Sequence, residues 1–379
     1  MKVLHTSTLR GWSGEVNRIL VIARELNKIE DVSVSIATHA ESELAVRAAE
    51  AGVEVHTRLT FPRGLHPVAN CADVRALRRL IRATRPDIVH THGSTDTWSM
   101  AAALLGLKPR PVFFRSRHNS FPPKVSAIHK FLYHKVIDHL VCVSDSVRRD
   151  FEPFMHAGSL SRSRIDVIHS SVDCDRFSGT LDSSAARAEF EIDPEAPVIG
   201  VVARLSPSKG VNYFLRAARL IRDKLPAAHF IVVGDGDERP FLQHRAVELG
   251  VGDCTHFAGF RNDVPELMAS MDICVLPSIG CDASSGVIKQ AMASRRPVVA
   301  TTVGGAAEIL EEGKTGLLVP PSDPEAISFA VLQLWSDTAN RREMGERARR
   351  VVTQRFSNQV LAEKTYTLYK RALAQRRQG

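Results

Sequence analysis

The sequence predicts an α/β protein of two doubly wound, parallel-sheet domains facing each other across a cleft. Three observations lead there. Short runs rich in Val and Ile alternate with amphipathic stretches along nearly the whole chain, as in parallel sheets covered by helices on both faces. The alternation starts again after residue 197, behind a polar stretch, Ser178–Pro197, that reads as a linker. A length of 379 residues also exceeds what one hydrophobic core comfortably organises.

In the first half the strands read "KVLHTS", "VSVSIAT", "VEVHTRL", "DIVHTH", "PVFFRSR" and "HLVCVS". In the second they read "VIGVVARL", "HFIVVGDG", "THFAGF", "DICVLPS", "PVVATT" and "TGLLVP". From Asp323 onward the pattern is helical, with basic faces on "RREMGERARRVV" and "LAEKTYTLYKRALAQRR". The expected domains are residues 1–178 and 179–356, with a last helix of about 357–379 packing back on the first.

Composition bounds the function. Apolar residues make up 44 % and charged residues 24 %, an ordinary globular balance. No apolar run approaches the roughly 20 residues that span a bilayer, and "MKVLHTSTLRG" lacks the apolar centre of a signal peptide. A soluble, cytoplasmic protein is expected. Cys71, Cys142, Cys174, Cys254, Cys274 and Cys281 are scattered, with no CxxC pair or Cys/His cluster, so neither a disulfide framework nor a zinc site is expected. The net charge of +8 is uneven: Met1–Ser178 holds 25 Lys+Arg against 18 Asp+Glu, the remainder 25 against 24. A basic half suits an anionic membrane surface, nucleic acid or a phosphorylated substrate, or is a solvated helix face. No aromatic-plus-basic platform supports nucleic acid. Arg75, Arg78, Arg79 and Arg82 fall at helical spacing, and Lys124, Lys130 and Lys135 lie among apolar residues, so peripheral contact with the inner face of a membrane is a further expectation.

Ligands of open α/β sheets bind outside the carboxyl ends of the strands, so the residues after each strand are the candidates. Gly11 and Gly14 flank a turn that opens a helix, either to admit a phosphate or sugar oxygen to the backbone or to satisfy the turn itself. His90, His92 and His118 fall near adjacent strand ends, as sugar-binding or proton-transferring groups or as satisfied loop residues. Arg204 and Lys209 precede a helix, where two cations oppose the macrodipole unless an anion such as a diphosphate lies between them. Asp282, Ser284 and Ser285 cap the next helix. The backbone donors that follow, at Gly286, Val287 and Ile288, suit sugar hydroxyls, and Gln290 lies further along the same helix.

The series G-x-S-G, "HTH", "RH", "IHSSVD", "ARLSPSKG", "VVGDGDER", "FAGF…DVPELMASMDICVLPS" and "DASSGVIKQAMASRRPVVATTVGGAAEIL…GKTGLLVPPSDPEAI" resembles the GT-B glycosyltransferases of family 4. The likeness is dense from Ile199 to Ile327 and looser before Asp87. It implies two Rossmann-like domains, the first binding an acceptor and the second a nucleoside-diphosphate sugar, with transfer that retains anomeric configuration. It further implies that Arg204 and Lys209 hold the donor diphosphate. His118 lies near the donor sugar, Gly14 faces the phosphate, and backbone at Phe260 and Arg261 meets the nucleobase. No metal and no cofactor are implied.

The family's paired glutamates fall on Asp282 and Gln290, separated by seven residues, and both depart from the pattern. Asp282 keeps the charge that contacts the sugar, with one methylene less reach. Gln290 keeps an acceptor for the ribose hydroxyls but loses the charge. "IHSSVD" departs from the usual "IPNGVD". The expected acceptor is a cell-envelope polysaccharide, a lipopolysaccharide-type glycan or a lipid-linked acceptor. The alternatives are a sugar-nucleotide epimerase of the same architecture and a non-catalytic nucleotide-sugar sensor.

Overall fold

A computed structural model describes residues 1–378 apart from Arg63, Leu65, Ser120, Gly179, Thr180 and Cys281, so the reading of Cys281 as a reduced thiol lies outside the described residues. The chain forms two compact units: Met1–Ser170 with Asn358–Gly379, and Ser171–Ser357.

The first unit is built on seven parallel strands, β1 (Lys2–Thr6), β2 (Ser33–Ala37), β3 (Glu54–His56), β4 (Ile88–Thr91), β5 (Val112–Arg117), β6 (His139–Cys142) and β7 (Ile165–Val167), in the order β3-β2-β1-β4-β5-β6-β7. The order reverses direction between β1 and β4. β7, Ile-Asp-Val, is a strand that the sequence does not single out. The last helix, Asn358–Gln378, packs on the helix Gly14–Leu26, and its Leu361, Ala362, Leu368, Tyr369 and Ala372 lie in the same core as β1.

The second unit has six parallel strands, β8 (Val198–Val202), β9 (His229–Val233), β10 (Thr255–Gly259), β11 (Ile273–Leu276), β12 (Val298–Thr301) and β13 (Gly316–Val319), in the order β10-β9-β8-β11-β12-β13. This is the doubly wound dinucleotide-binding order, with its switch point between β8 and β11. Alternate residues of each strand enter opposite cores: Phe230 and Val232 lie on one face, Ile231 and Val233 on the other. Helices on both faces explain why these strands are continuous apolar runs.

Ser178–Pro197 is not a linker. It carries the helix Ser184–Glu189, and Ala186, Ile192 and Ala196 are buried in the second core. Arg187 donates to the carbonyls of Asp193, Pro194 and Ala196 and pairs with Asp272, so the polar composition serves to tie the segment down. The second unit starts at Ser171, earlier than the expected 179, because the Val172 N–H bonds the Phe356 carbonyl at 2.9 Å and both side chains enter the second core. Among the described residues no helix is long and apolar enough to cross a membrane.

Candidate functional site

At the switch point of the second unit, β8 and β11 diverge and leave a cavity of about 130 Å³, lined by residues that include Arg204, Lys209, Ser278, Asp282, Ser285 and Val287. Arg204 follows the end of β8 and is exposed, and its guanidinium has no hydrogen bond or ion pair among the described residues, while its carbonyl accepts from Ser206 N at 2.9 Å. Lys209 ends a single 3-10 turn, Pro207–Lys209, and Gly210 then starts the helix Val211–Arg222. Gly210 has φ +65°, and a Cβ there would sit 2.0 Å from the Pro277 carbonyl oxygen, so the loop after β8 can close on the loop after β11 only through a glycine. The backbone N–H groups of Ile279 and Gly280 also donate to the Ser208 carbonyl, at 2.9 and 3.0 Å.

This closure seats Lys209 against Asp282. Nζ lies 3.2 Å from Oδ2, with side-chain exposures of 27 % and 15 %, and Ser278 Oγ donates to the same oxygen at 3.4 Å. The electrostatic misfit expected of two cations before a helix is therefore relieved in part from within: Asp282 supplies the anion for Lys209, and Arg204 alone is left without one. Asp282 is fixed from behind, since its carbonyl accepts from Gly305 N at 3.0 Å and lies 2.0 Å from where a Cβ on Gly304 would be.

The helix Gly286–Ala293 starts at this edge, with Ser285 as its N-cap. Ser285 Oγ accepts from Ile288 N at 3.4 Å, so of the three backbone donors expected to meet a ligand Ile288 is engaged by the cap. The Gly286 and Val287 N–H groups have no partner among the described residues, as first-turn donors often do not. Ser284 is engaged by Lys289, a fully buried lysine that the sequence reading passed over, whose Nζ donates to Ser284 Oγ at 2.8 Å. Gln290 is half-buried, and its amide makes no hydrogen bond among the described residues. Phe260 is exposed after β10. Arg261 beside it is clamped by Asp263 and Glu189, whose hydrogen bonds raise its pKa, so its guanidinium is committed to the fold and only the backbone of this turn is presented.

The first unit gathers a second polar group at its own switch point. Gly14 opens the helix Gly14–Leu26 behind the cap Ser13; it is exposed, its φ is not positive, and a Cβ there would meet nothing within 4 Å. Neither backbone strain nor packing explains this glycine. His90 lies inside β4 and His92 just after it, both buried, whereas sequence reading placed them loosely at a strand end. They meet His118 after β5 and His5 of β1, a residue that strand periodicity alone marks only as core. His5 Nδ1 is 2.9 Å from His92 Nε2, and His92 Nδ1 is 3.0 Å from His118 Nε2. His90 bonds Tyr369 at 2.5 Å and Ser116 at 2.8 Å, and Tyr369 reaches His5 Nε2 at 3.3 Å.

His5, His90 and His92 each bring a ring nitrogen within 4.8 Å of the others, a cluster that scattered sequence positions do not reveal. All six of their ring nitrogens are already engaged by protein groups. Arg18, 2 % exposed and lacking partners at Nε and Nη1, adds a buried cation beside them. That charge disfavours a metal ion there. Burial first, then neighbouring charge, lowers His5 to about 3 and His90, His92 and His118 well below the usual histidine range. Nearby, burial and the Asp96 carboxyl push Glu15 up to about 8.

Residues 12–176 match the family model described as Glycosyltransferase Family 4, and residues 196–337 match that described as Glycosyl transferases group 1. The lipopolysaccharide core biosynthesis glycosyltransferase LpsE of Rhizobium meliloti (strain 1021) is 26 % identical over 289 residues, 76 % of each chain. A glycosyltransferase structure from Rickettsia africae ESF-5 superposes with a TM-score of 0.85 at 21 % identity over 98 % of both chains. Anabaena Alr3699/HepE in complex with UDP-glucose does so with a TM-score of 0.81 at 22 % identity, over 98 % of this chain and 100 % of that one. At these identities the two structures establish the two-domain Rossmann-like GT-B fold.

Proposed function

Because the chain belongs to the group 1, family 4 glycosyltransferases, and so is a glycosyl-transfer enzyme, we propose that it is a retaining transferase that takes its sugar from a nucleoside-diphosphate donor. The observation that carries the donor assignment is Arg204: a cation without an anion, at a sheet switch point, beside a lysine–aspartate pair and two unpartnered backbone N–H groups. A diphosphate completes that set. The cavity of about 130 Å³ suits the phosphate end of such a donor, since whole drug-sized ligands occupy roughly 300–1,000 Å³. Binding of UDP-glucose by HepE supports a UDP-sugar.

In the reaction the bond from C1 of the sugar to the diphosphate oxygen breaks, and the acceptor oxygen bonds to C1 on the same face. The acceptor's proton passes to a phosphate oxygen of the leaving group. Arg204 and Lys209 offset the charge that develops there, the kind of stabilisation that usually dominates such steps. Asp282, held by Lys209 and Ser278, keeps its second carboxylate oxygen for a sugar hydroxyl, and Gln290 takes a ribose hydroxyl. The family resemblance assigns Gly14 to the phosphate and His118 to the transferred sugar. The acceptor belongs to the cell-envelope glycans, a class supported by the lipopolysaccharide core assignment of LpsE.

A thermal-shift panel of UDP-, GDP- and ADP-sugars reads the donor directly, since a ligand of the native state stabilises it by mass action. One donor should raise Tm and be consumed with retention at C1, read by NMR of the product. Stabilisation without turnover would establish a sensor, conversion without acceptor an epimerase, and inversion at C1 would refute the retaining mechanism.

A further inference from the structure

His118 offers its substrates a single free ring atom, Nδ1, which makes no hydrogen bond among the described residues; its Nε2 is committed to His92. Whether that free atom donates or accepts depends on the tautomer. The tautomer in turn depends on a continuous chain: Ser116 Oγ, His90, Tyr369 Oη, His5, His92, His118. A neutral imidazole must donate at one nitrogen and accept at the other, and the buried Tyr369 hydroxyl must donate to one of its two imidazoles or leave its hydrogen without an acceptor, so every bond of the chain runs in the same direction.

Ser116 decides which direction. It is fully buried, and His90 is the sole partner of its hydroxyl among the described residues. If the hydroxyl accepted from His90, its own hydrogen would be buried without an acceptor, which is costly. If it donates, every group is satisfied: Ser116 donates to His90 Nε2, His90 Nδ1–H to Tyr369, Tyr369 to His5 Nε2, His5 Nδ1–H to His92 Nε2, and His92 Nδ1–H to His118 Nε2. We infer that this polarised chain locks His118 as its Nδ1–H tautomer, a hydrogen-bond donor to a sugar or phosphate oxygen, and that Tyr369, His5 and His92 are positioning residues for the transfer. Burial, and after it neighbouring charge that includes Arg18, supports this by keeping every imidazole in the chain neutral. The last helix thereby has a part in the chemistry as well as in packing. The inference rests on the role proposed above for His118 at the transferred sugar.

Tyr369→Phe tests it, because the ring keeps its edge contact with Phe114, at a centroid distance of 4.9 Å, while the link between His90 and His5 is lost. Long-range ¹H–¹⁵N correlation spectra of the imidazoles should show wild-type His118 protonated at Nδ1 and a mixture of tautomers in Tyr369→Phe. In the variant kcat should fall about fivefold to tenfold, the scale of one hydrogen bond, with donor KM changed less than about twofold. Ser116→Ala should act in the same direction, and Ser116→Thr, which returns the hydroxyl, should restore the tautomer. A wild-type His118 protonated at Nε2, or His118 signals unchanged by Tyr369→Phe, would overturn the inference whatever the activity. Unaltered turnover and donor affinity in His118→Ala would instead remove His118 from the reacting sugar, and with it the catalytic role of the chain.

Discussion

Arg204 and Lys209 are alike in charge and in proposed role, yet their loss should be felt differently. Arg204 is exposed and unpartnered, so Arg204→Ala should leave Tm nearly unchanged while costing about 2 to 4 kcal/mol of transition-state stabilisation in kcat/KM. Lys209→Ala also strips the partly buried Asp282 of its cationic partner and leaves it the Ser278 hydroxyl, and about 1 to 2 kcal/mol of fold stability should go with it, discounted for partial solvent access. Denaturant unfolding beside steady-state kinetics separates the two; equal stability losses would contradict the pairing. Glu15 makes a further point at this scale. Its carboxyl ionises near the usual 4.5 in the unfolded chain but at about 8 when folded. Between those values the folded protein binds more protons, so this group makes stability fall as pH rises from about 4.5 to 8. Glu15→Gln should flatten that slope in urea unfolding measured across the window.

At the scale of elements, the edge proposed for the donor depends on two loops that close on each other through Gly210. Gly210→Ala places a methyl against the Pro277 carbonyl and asks an L-residue to hold φ +65°. The closure after β8 should open, lowering stability by more than about 1 kcal/mol and abolishing the donor-induced thermal shift together. A variant that kept both would show that the loop contact is dispensable. The same edge shows how far local chemistry could be read. The cap at Ser285 was legible from Ser-Ser before an apolar run, but its consequence was not: the Ile288 N–H is consumed by it, and buried Lys289 takes Ser284. A lysine with its amine folded back under its own helix leaves no mark in hydrophobic periodicity.

For the molecule as a whole, the excess charge lies in the first unit and has a defined surface. Arg75, Arg79 and Arg82 are exposed on the helix Pro67–Thr84, whereas Arg78 donates to the Leu105 carbonyl at 2.8 Å and is less available. Phe121, Val125, Ile128 and Phe131 are exposed beside Lys124, Lys130 and Lys135, a mixture suited to an anionic membrane interface. Each basic side chain near such a surface contributes about 1 kcal/mol, screened by salt. Sedimentation with phosphatidylglycerol vesicles at low ionic strength should therefore be lost at high salt and weakened by Arg79→Glu with Arg82→Glu, and separately by Phe131→Ser. Absence of binding at low salt would leave these faces solvated and remove the case for a membrane-borne acceptor.

The sequence by itself determined the α/β class, twelve of the thirteen strands among the described residues and the family, because strand periodicity, glycine-bounded turns and motif spacing are local properties that survive in one dimension. It also brought Arg204, Lys209 and Asp282 forward as candidates, since each follows a strand whose end is itself legible, and the structure gathers these three around one cavity. What only the tertiary structure decided are the pairings. Lys209 meets Asp282 across 73 positions, His5 meets His92 across 87, and Tyr369 meets His90 across 279. Strand order brings β1 beside β4, and the last helix returns to the first unit, so side chains remote in sequence share one buried, hydrogen-bonded space. A buried polar group must find its partner wherever the fold places one, and that requirement acts in three dimensions, without a fixed spacing along the chain.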